Sequence, residues 1–260
     1  MRVVVINTGT EILLGDVLNT HLTFIAQQIL PLGLRVERQI AVPDGSAIRE
    51  ALQENFRSAE IIFVTGGLGP TTDDITREIT AEMLGLELAA DPDLETTITE
   101  RLRTRGIRLT DRILRQAQVP RGAQVLPNEY GTAPGLYLAE RETAAGASPH
   151  LFLLPGPPRE LRPMFEQSVV PLLRGIVRHE QPLAYRAYRI VGMGESYVEE
   201  AVGPQLLALP GLELGYCARM GEVDLRVIAV PEILEQADAI VRRKLAGSIF
   251  STSSESLESV

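Results

Sequence analysis

The chain has 260 residues, 45% of them hydrophobic, and its 34 acidic and 25 basic side chains give a net charge of −9. This length allows one large domain or two modest ones, and either has enough apolar residues for a core. The one cysteine and three histidines exclude a zinc finger and an internal disulfide, and the acidic balance argues against a broad nucleic-acid footprint. The single lysine, Lys244, lies outside any G-x-x-x-x-G-K-[ST] loop, which excludes a Walker-type phosphate site.

The sequence shows no membrane or targeting segment. No apolar run reaches about 18 residues, and the amino terminus lacks the basic and then apolar pattern of a secretory signal. We therefore expect a soluble, cytoplasmic protein without a membrane partner. The histidines His21, His150 and His179 are interpreted as surface or structural residues, since only His21, at the opening of the first helix, borders a candidate loop.

Strand-like and helix-like segments alternate through the first half of the chain, a rhythm that predicts right-handed βαβ crossovers and a mainly parallel sheet with helices on both faces. Continuous apolar runs predict buried parallel strands, and apolar residues at steps of three and four predict helices. In chain order, these are a strand at Val3–Ile6, a helix on Leu18, Leu22, Ile25 and Ile29, a strand at Arg35–Val42, a helix on Ile48, Leu52 and Phe56 with Ser46 as N-cap, a strand at Ile61–Val64, and helices on Ile75–Met83 and Leu94–Leu102.

The sheet is predicted to continue through shorter elements, and the chain changes character near Arg174. Residues 174–250 read as a small α+β unit of order β-α-β-β-α. The predicted domains are therefore residues 1–173 and 174–250, followed by a tail at 251–260. The later elements are strands at Gln124–Leu126, Leu136–Ala139 and Leu151–Leu154, a polar turn at 140–149, a helix on Leu161, Phe165 and Val169, strands at Tyr185–Val191, Leu212–Ala218 and Val223–Val230, and helices at Glu195–Leu207 and Glu232–Leu245.

The loop after the third strand carries the strongest chemical signal, Thr65-Gly-Gly-Leu-Gly-Pro-Thr-Thr-Asp-Asp74. Its glycines let the backbone approach a ligand and turn N–H groups toward an anion, and the helix that follows favours phosphate at its start. Asp73 and Asp74 could stabilise the helix dipole, but two adjacent carboxylates in a phosphate-type loop also suggest a hard divalent cation. The spacing does not match G-x-G-x-x-G, so a dinucleotide fingerprint is not supported.

Other loops at predicted strand ends add candidate residues, because ligands of open α/β sheets bind there. Glu11 is a helix-capping residue or a ligand-binding one, and Asp44 is a turn residue or a ligand-binding one. Arg159 is a candidate phosphate clamp. The small residues of the Gly131–Gly135 segment form a plain turn or line a pocket. No Ser-His-Asp order and no G-x-S-x-G elbow is present, which argues against acyl transfer.

Four ordered motifs resemble the CinA (competence/damage-inducible protein A) family over essentially the whole chain: Thr8-Gly-Thr-Glu11 with Gly15 and Asn19, Thr65–Thr76, Gly131–Gly135, and Leu154–Glu160. Residues 192–196 and 221–226 resemble its KH-like second domain. The first part is similar to the molybdopterin-binding fold of MogA, MoaB and MoeA, in which acidic residues align with Asp74 and Asp44. The resemblance implies a three-layer αβα sandwich of that type, followed by a small α+β domain.

The resemblance also implies an activity, the metal-dependent hydrolysis of ADP-ribose to AMP and ribose 5-phosphate, and a homodimer. Longer CinA proteins carry a nicotinamide-mononucleotide deamidase domain, which is not expected here. Asp73 stands where molybdopterin-synthesis proteins often have a basic residue, which favours metal-assisted hydrolysis. The candidate catalytic residues are Asp74, Asp73 and Arg159; the substrate-binding residues are Thr8, Gly9, Glu11, Asn19, Gly66, Gly67, Gly69, Thr71, Thr72, Gly131, Thr132, Pro155 and Gly156; the metal ligands are Asp74, Asp44 and Glu11.

The leading hypothesis places the diphosphate of ADP-ribose against the glycine loop, with Mg²⁺, Mn²⁺ or Co²⁺ held by the carboxylates. No histidine base is evident, so a carboxylate or a metal-bound hydroxide takes the proton. One alternative is a non-catalytic binding module for molybdopterin or a nucleotide. Another is a nucleic-acid scaffold, against which the acidic charge and the absence of a Gly-x-x-Gly loop between two helices argue.

Overall fold

The computed structural model describes residues 1–143, 146–177 and 180–252, and within Thr143 it describes the backbone alone. The strands are β1 (Arg2–Thr8), β2 (Arg35–Val42), β3 (Ile61–Thr65), β4 (Leu88–Ala90), β5 (Gln118–Pro120), β6 (Gln124–Leu126), β7 (Gly135–Leu138), β8 (Arg141–Thr143), β9 (Gly146–Ser148), β10 (His150–Leu154), β11 (Ala184–Val191), β12 (Glu213–Arg219), β13 (Glu222–Ala229) and β14 (Ile249–Ser251). The helices are α1 (Thr10–Leu14), α2 (His21–Ile29), α3 (Ala47–Phe56), α4 (Thr76–Leu84), α5 (Pro92–Thr104), α6 (Asp111–Leu114), α7 (Pro158–Met164), α8 (Val170–Ile176), α9 (Glu195–Leu207) and α10 (Pro231–Leu245). A 3₁₀ turn at Arg115–Ala117 precedes β5, and a π-helical turn at Phe165–Val169 joins α7 to α8.

The chain forms two compact units. The first comprises Met1–Ile29 and Leu34–Arg178, and the second comprises Leu30–Gly33 and His179–Val260. The domain boundary predicted between residues 173 and 174 stays a prediction, and it falls within α8.

The first unit is built on a six-stranded sheet of order β2-β1-β3-β10-β7-β6. The strands β2, β1, β3 and β10 run parallel to one another. The strand β7 pairs antiparallel with β10, and β6 pairs antiparallel with β7. The centres of β1, β3 and β10 are wholly apolar because both faces of the sheet are covered there, whereas the edge strand β2 carries exposed polar residues. The chain leaves β1 toward β2 on one side and returns through β3 on the other, so the sheet has a topological switch point between β1 and β3.

Alternate residues of each central strand face opposite layers of helices. On one face, Ile6 and Val64 belong to a core cluster with Ile48 and Leu52 of α3 and Ile79 of α4. On the other face, aromatic rings form the core: the Phe63 ring lies 5.2 Å from Phe152 and 5.3 Å from Phe165, whose ring contacts Phe24 of α2 at 5.7 Å. The three-layer αβα sandwich predicted from the sequence is therefore confirmed.

The second unit is a four-stranded antiparallel sheet of order β12-β13-β11-β14. Its core cluster joins strand residues such as Tyr188, Leu225 and Val227 to Val202 of α9 and Val241 of α10. The predicted β-α-β-β-α order is confirmed, with one further strand. Ser251, which the sequence placed in a tail, ends β14, and residues 253–260 of that predicted tail lie outside the described residues.

Some predicted local features are wrong. Leu18 is not part of the first long helix, which begins at His21, and its side chain is 84% exposed. Ser46 occupies the N-cap position of α3 but makes no capping hydrogen bond, because its backbone is already helical at φ −64° and ψ −25°. The predicted polar turn at 140–149 contains the paired strands β8 and β9. Among the described residues, no helix combines the length and apolar character needed to cross a bilayer.

Candidate active site

A cavity of about 610 Å³ opens at the carboxyl ends of β1, β2, β3 and β10, beside the switch point. This volume lies within the range of small-molecule sites, about 300–1,000 Å³. Asn19 and Thr72 are the two predicted site residues that do not line it. The predicted residues that do line it are Thr8, Gly9, Glu11, Asp44, Gly66, Gly67, Gly69, Thr71, Asp73, Asp74, Gly131, Thr132, Pro155, Gly156 and Arg159.

The glycine loop after β3 is shaped by close backbone packing. Gly66 has φ 99° and Gly67 has φ 69°, both in the left-handed region that favours glycine. A Cβ at Gly66 would lie 2.7 Å from the Thr8 carbonyl oxygen, so no larger residue fits. The Thr76 hydroxyl, at the start of α4, donates to the Gly66 carbonyl at 3.0 Å, and the Thr76 backbone N–H donates to Gly67 at 3.1 Å. These bonds fix the loop against the helix that follows.

Thr8 supplies an unused polar group on the floor of the cavity. The residue is 5% exposed, and its hydroxyl oxygen makes no hydrogen bond within the described part of the chain. A buried hydroxyl without a partner is costly, and a ligand that accepts a hydrogen bond would remove that cost. Its place beside Gly9 and Gly66 suits an anionic oxygen of a ligand.

Threonines orient two of the cavity carboxylates. Thr71 donates its backbone N–H to Asp74 Oδ2 at 2.9 Å, and its hydroxyl donates to the same oxygen. Asp44 Oδ2 accepts from the backbone N–H of Thr10 at 3.0 Å and from its hydroxyl at 3.4 Å. Asp74 therefore turns back into the loop, and Asp44 binds the start of α1. In each carboxylate the second oxygen, Oδ1, has no partner among the described residues.

Glu11 and Asp73 complete the acidic side of the cavity, and both are exposed. The Glu11 carboxylate folds over Gly9, where its Oε2 lies 2.8 Å from the position that a Cβ would take. The neighbouring Thr71 hydroxyl and the backbone N–H of Asp73 itself hold the pKa of the Asp73 carboxyl below its ordinary value. Arg159 faces the same space with a side chain that is largely exposed.

The donor set suits a cation shared with a ligand better than one enclosed by protein. Within the residues that the structure describes, no three His, Cys, Asp or Glu side chains come together closely enough to hold a metal ion. Mg²⁺ commonly takes only one or two carboxylates from the protein and completes its shell with water and substrate phosphates. Single carboxylate oxygens of Asp74 and Asp44 at the cavity wall fit that mode of binding.

A carboxylate that the sequence analysis did not single out, Glu160, also lines the cavity. It is only 9% exposed, and Asn128 Nδ2 donates to its Oε2 at 2.9 Å. Its Oε1 lies 3.9 Å from Arg159 Nε. Asn128 also accepts from the backbone N–H of Gly131 at 2.8 Å, so that one amide holds the 128–133 loop beside the carboxylate. The motif that contains Arg159 included Glu160, but its sequence position gave no sign that it would be buried.

A polar network lies beneath the cavity. The His21 ring contacts the Thr65 hydroxyl at 3.2 Å, and that hydroxyl accepts from Asn7 Nδ2 at 2.9 Å. Asn19, predicted to bind substrate, instead donates to Asn7 at 2.9 Å and accepts from the His21 backbone N–H at 3.0 Å. Burial lowers the pKa of the His21 imidazole below its ordinary value, and a hydrogen bond to the backbone of Gly156 opposes that shift. The structural interpretation of His21 therefore agrees with its contacts.

Comparison with known proteins identifies the family. Residues 4–175 match the family described as "Probable molybdopterin binding domain", and residues 185–250 match the KH domain of damage-inducible protein CinA. The chain belongs to the CinA family. A CinA-like protein of Akkermansia muciniphila is 43% identical over 99% of this chain and 61% of its own length. A putative competence-damage inducible protein of Moorella thermoacetica is 39% identical over the whole chain and 63% of its own length.

The chain therefore spans between 61% and 63% of these two CinA relatives. A crystal structure of CinA from Thermoplasma acidophilum, described there as of unknown function, superposes with a TM-score of 0.56 at 30% identity. The match covers 68% of this chain and 97% of the Thermoplasma acidophilum chain. The shared fold and the two family matches thus agree that the chain belongs to the CinA family.

Proposed function

We propose that the chain hydrolyses the diphosphate of ADP-ribose to AMP and ribose 5-phosphate with the help of a divalent cation. The observation that carries this proposal is the joint placement, around one cavity, of an anion-binding glycine loop and several carboxylates. In the reaction, a water oxygen bonds to one phosphorus and the bridging P–O bond breaks. The bridging oxygen stays on the departing phosphate, and the water proton must be accepted by a base.

The residues of the cavity have distinct parts in this proposal. The backbone N–H groups of the glycine loop and the Thr8 hydroxyl bind the diphosphate oxygens. Arg159 stabilises the charge that develops on the leaving phosphate. Asp74 and Asp44, helped by Glu11, would hold Mg²⁺, Mn²⁺ or Co²⁺, which supplies charge neutralisation and Lewis acidity when bound. Glu160 is a candidate proton acceptor in addition to the carboxylates named from the sequence.

The first test is an assay of ADP-ribose with each of the three cations, followed by detection of AMP. Asp74→Asn keeps the size of the side chain and removes its charge, so we expect kcat to fall at least about 100-fold with the fold intact. Asp111→Asn, an exposed acidic residue at the start of α6 outside the cavity lining, is the matched control and retains activity. Normal cation-dependent hydrolysis by Asp74→Asn would remove the proposed role of this residue.

A second candidate is a non-catalytic module that binds molybdopterin or a nucleotide. It is favoured by the molybdopterin-binding description of the family matched by residues 4–175. The two candidates make opposite predictions for the assay. If no AMP forms with any of the three cations while a nucleotide or molybdopterin binds in the cavity, the binding module is the better account.

A further inference from the structure

The loop of residues 128–133 separates the cavity from a second, smaller groove, and Thr132 lines both. The groove has a volume of about 230 Å³ and lies beside α5, with Arg101 and Asn128 among its lining residues. On the other side of the loop, Gly131 and Glu160 line the cavity. A side chain of α5 can therefore bind this loop without entering the cavity.

Arg101, in the last turn of α5, makes this contact from the groove side. Its Nη1 donates to the Asn128 carbonyl at 2.5 Å and also to the Gly131 carbonyl. The two carbonyls belong to the two ends of one turn, so a single nitrogen closes that turn. Arg101 itself lies outside the cavity lining that the described residues form. A basic residue in the last turn also interacts with the helix dipole, but that interaction requires no contact with the loop.

Asn128 connects this turn to Glu160. Its Oδ1 accepts from the backbone N–H groups of Tyr130 at 3.0 Å and Gly131 at 2.8 Å. Its Nδ2 donates to the Ala133 carbonyl at 2.7 Å and to Glu160 Oε2 at 2.9 Å. A side-chain amide has two donor and two acceptor positions, and here all four are used. The amide is therefore fixed in one orientation, in which it holds Oε2 of the carboxylate.

The turn and the Glu160 carboxylate are in direct contact because residue 131 is glycine. A Cβ at Gly131 would overlap the carboxylate and would lie 2.7 Å from Asn128 Nδ2. Glu160 is only 9% exposed, so its place depends on these neighbours. Placement matters for a general base, which must lie within hydrogen-bond reach of the proton that it accepts. A misplacement of about 1 Å can lower a rate by up to about 100-fold.

We infer that Arg101 is a positioning residue for the hydrolysis: it closes the 128–131 turn and thereby holds the Asn128 amide against Glu160, which accepts the water proton. This inference rests on the proposed function, in which Glu160 is a proton acceptor. Arg101 takes no part in the chemistry and acts through Asn128. Its loss should lower kcat and leave KM nearly unchanged, because the groups that bind the diphosphate lie elsewhere in the cavity.

The test compares Arg101→Ala with the unaltered 260-residue chain in the ADP-ribose assay and follows the Asn128 side-chain amide by NMR. We expect kcat to fall about tenfold with KM within about twofold, and the two Asn128 amide proton signals to shift. Arg101→Lys should keep kcat within about threefold, because an ammonium can donate to both carbonyls from one nitrogen, as Nη1 does.

Guanidinium ion provides a rescue that a merely structural role does not predict. Because Arg101 lines the groove, removal of its side chain leaves room there for the free ion. Millimolar guanidinium chloride should restore much of the kcat of Arg101→Ala and return the Asn128 signals toward their original positions. Urea has a similar shape but no charge, so its hydrogen bonds to the two carbonyls are weaker and it should restore less.

Arg103→Ala is the matched control, since Arg103 is exposed on the same helical turn and lies outside the cavity lining. It should keep the kcat, the KM and the Asn128 signals, and guanidinium should not change them. Equal losses of kcat in Arg101→Ala and Arg103→Ala would overturn the inference, as would equal rescue by urea and guanidinium. If Arg101→Ala does not fold, Arg101→Gln replaces it, because the shorter amide does not reach both carbonyls.

The two readouts separate this inference from the proposed reaction. Hydrolysis that is unchanged in Arg101→Ala would overturn the role of Arg101 alone. If the unaltered chain forms no AMP with any of the three cations, the proposed reaction is overturned, and the NMR signals decide the rest. Asn128 signals that move in Arg101→Ala and return with guanidinium would support the hold of Arg101 on Asn128 and Glu160, and unmoved signals would overturn it.

Discussion

Two threonines determine where the cavity carboxylates point. Thr71 holds one oxygen of Asp74, and Thr10 holds one oxygen of Asp44, each with a backbone N–H and a hydroxyl. Each carboxylate therefore has a fixed orientation and one oxygen to offer. Asp74 is bound within its own loop, and it does not act as a cap for α4, which begins at Thr76 with Ile75 as its N-cap. This geometry favours a ligand-binding role over the helix-dipole role.

His21 makes stability depend on pH. Burial holds its folded-state pKa below the ordinary value of 6.5, so the unfolded chain binds a proton more readily than the folded one as the pH falls from about 7 to 5. The contribution of the neutral His21 ring to the stability of the folded chain is therefore present above pH 6.5 and is lost as the pH falls below it. We expect the free energy of unfolding to decrease as the pH falls through this range, and that of the His21→Gln chain to decrease less steeply. Urea titrations at each pH measure both.

His150 provides the comparison for this pH effect, because burial also lowers its pKa, against the opposing charge of Glu140. His150→Gln should remove a further part of the pH slope, and the doubly substituted chain should show the shallowest slope. If His21→Gln has the same slope as the unaltered chain, the lowered pKa of His21 is not what links its stability to pH.

At the scale of secondary-structure elements, α5 has a side-chain hydrogen-bonded N-cap, whereas α3 does not. The Asp91 carboxylate accepts from the backbone N–H groups of Asp93 and Leu94, both at 3.0 Å, at the start of α5. We expect Asp91→Ala to lower the free energy of unfolding by about 1 kcal/mol, as loss of a cap usually does. Chemical denaturation of the two chains measures the difference.

Ser46→Ala is the control for this substitution. Ser46 stands at the N-cap position of α3 without a side-chain bond, so its replacement should change stability by a few tenths of a kcal/mol at most. Equal losses for Asp91→Ala and Ser46→Ala would show that the capping bond of Asp91 contributes nothing measurable. The cap of α5 matters for the site because Leu102 and Arg105, at the other end of that helix, line the cavity.

At the scale of the whole molecule, each unit has a hydrophobic core of its own. Leu225 is fully buried in the core of the second unit, and Phe63 is fully buried in the first. Leu225→Ala should cost about 2–5 kcal/mol in the second unit through lost contacts and a cavity. Hydrogen exchange should then show weaker protection of amides in β11–β13, with amides of β1 and β3 unchanged. A similar loss of protection in both units would show that they unfold as one body.

Part of the net negative charge of the chain is concentrated around the cavity. The net charge of −9 argues against nucleic acid over the whole surface, yet five of the acidic residues, Glu11, Asp44, Asp73, Asp74 and Glu160, line one cavity together with the glycine loop. In the function that we propose, a cation would offset the repulsion between a bound diphosphate and these carboxylates. The proposed cation dependence follows from this local concentration of charge.

The sequence by itself determined the alternating sandwich, the glycine loop and most of the strand-end residues. Apolar runs, helical spacing and glycine are local signals, and the parallel sheet brings strand ends such as those after Ile6 and Val64 to one edge. Only the tertiary structure decided which side chains are buried and which are left without partners. Glu160 became a candidate because a distant segment, the Asn128 loop, packs against it. Burial and pairing depend on contacts between residues far apart in the chain, and no local pattern records them.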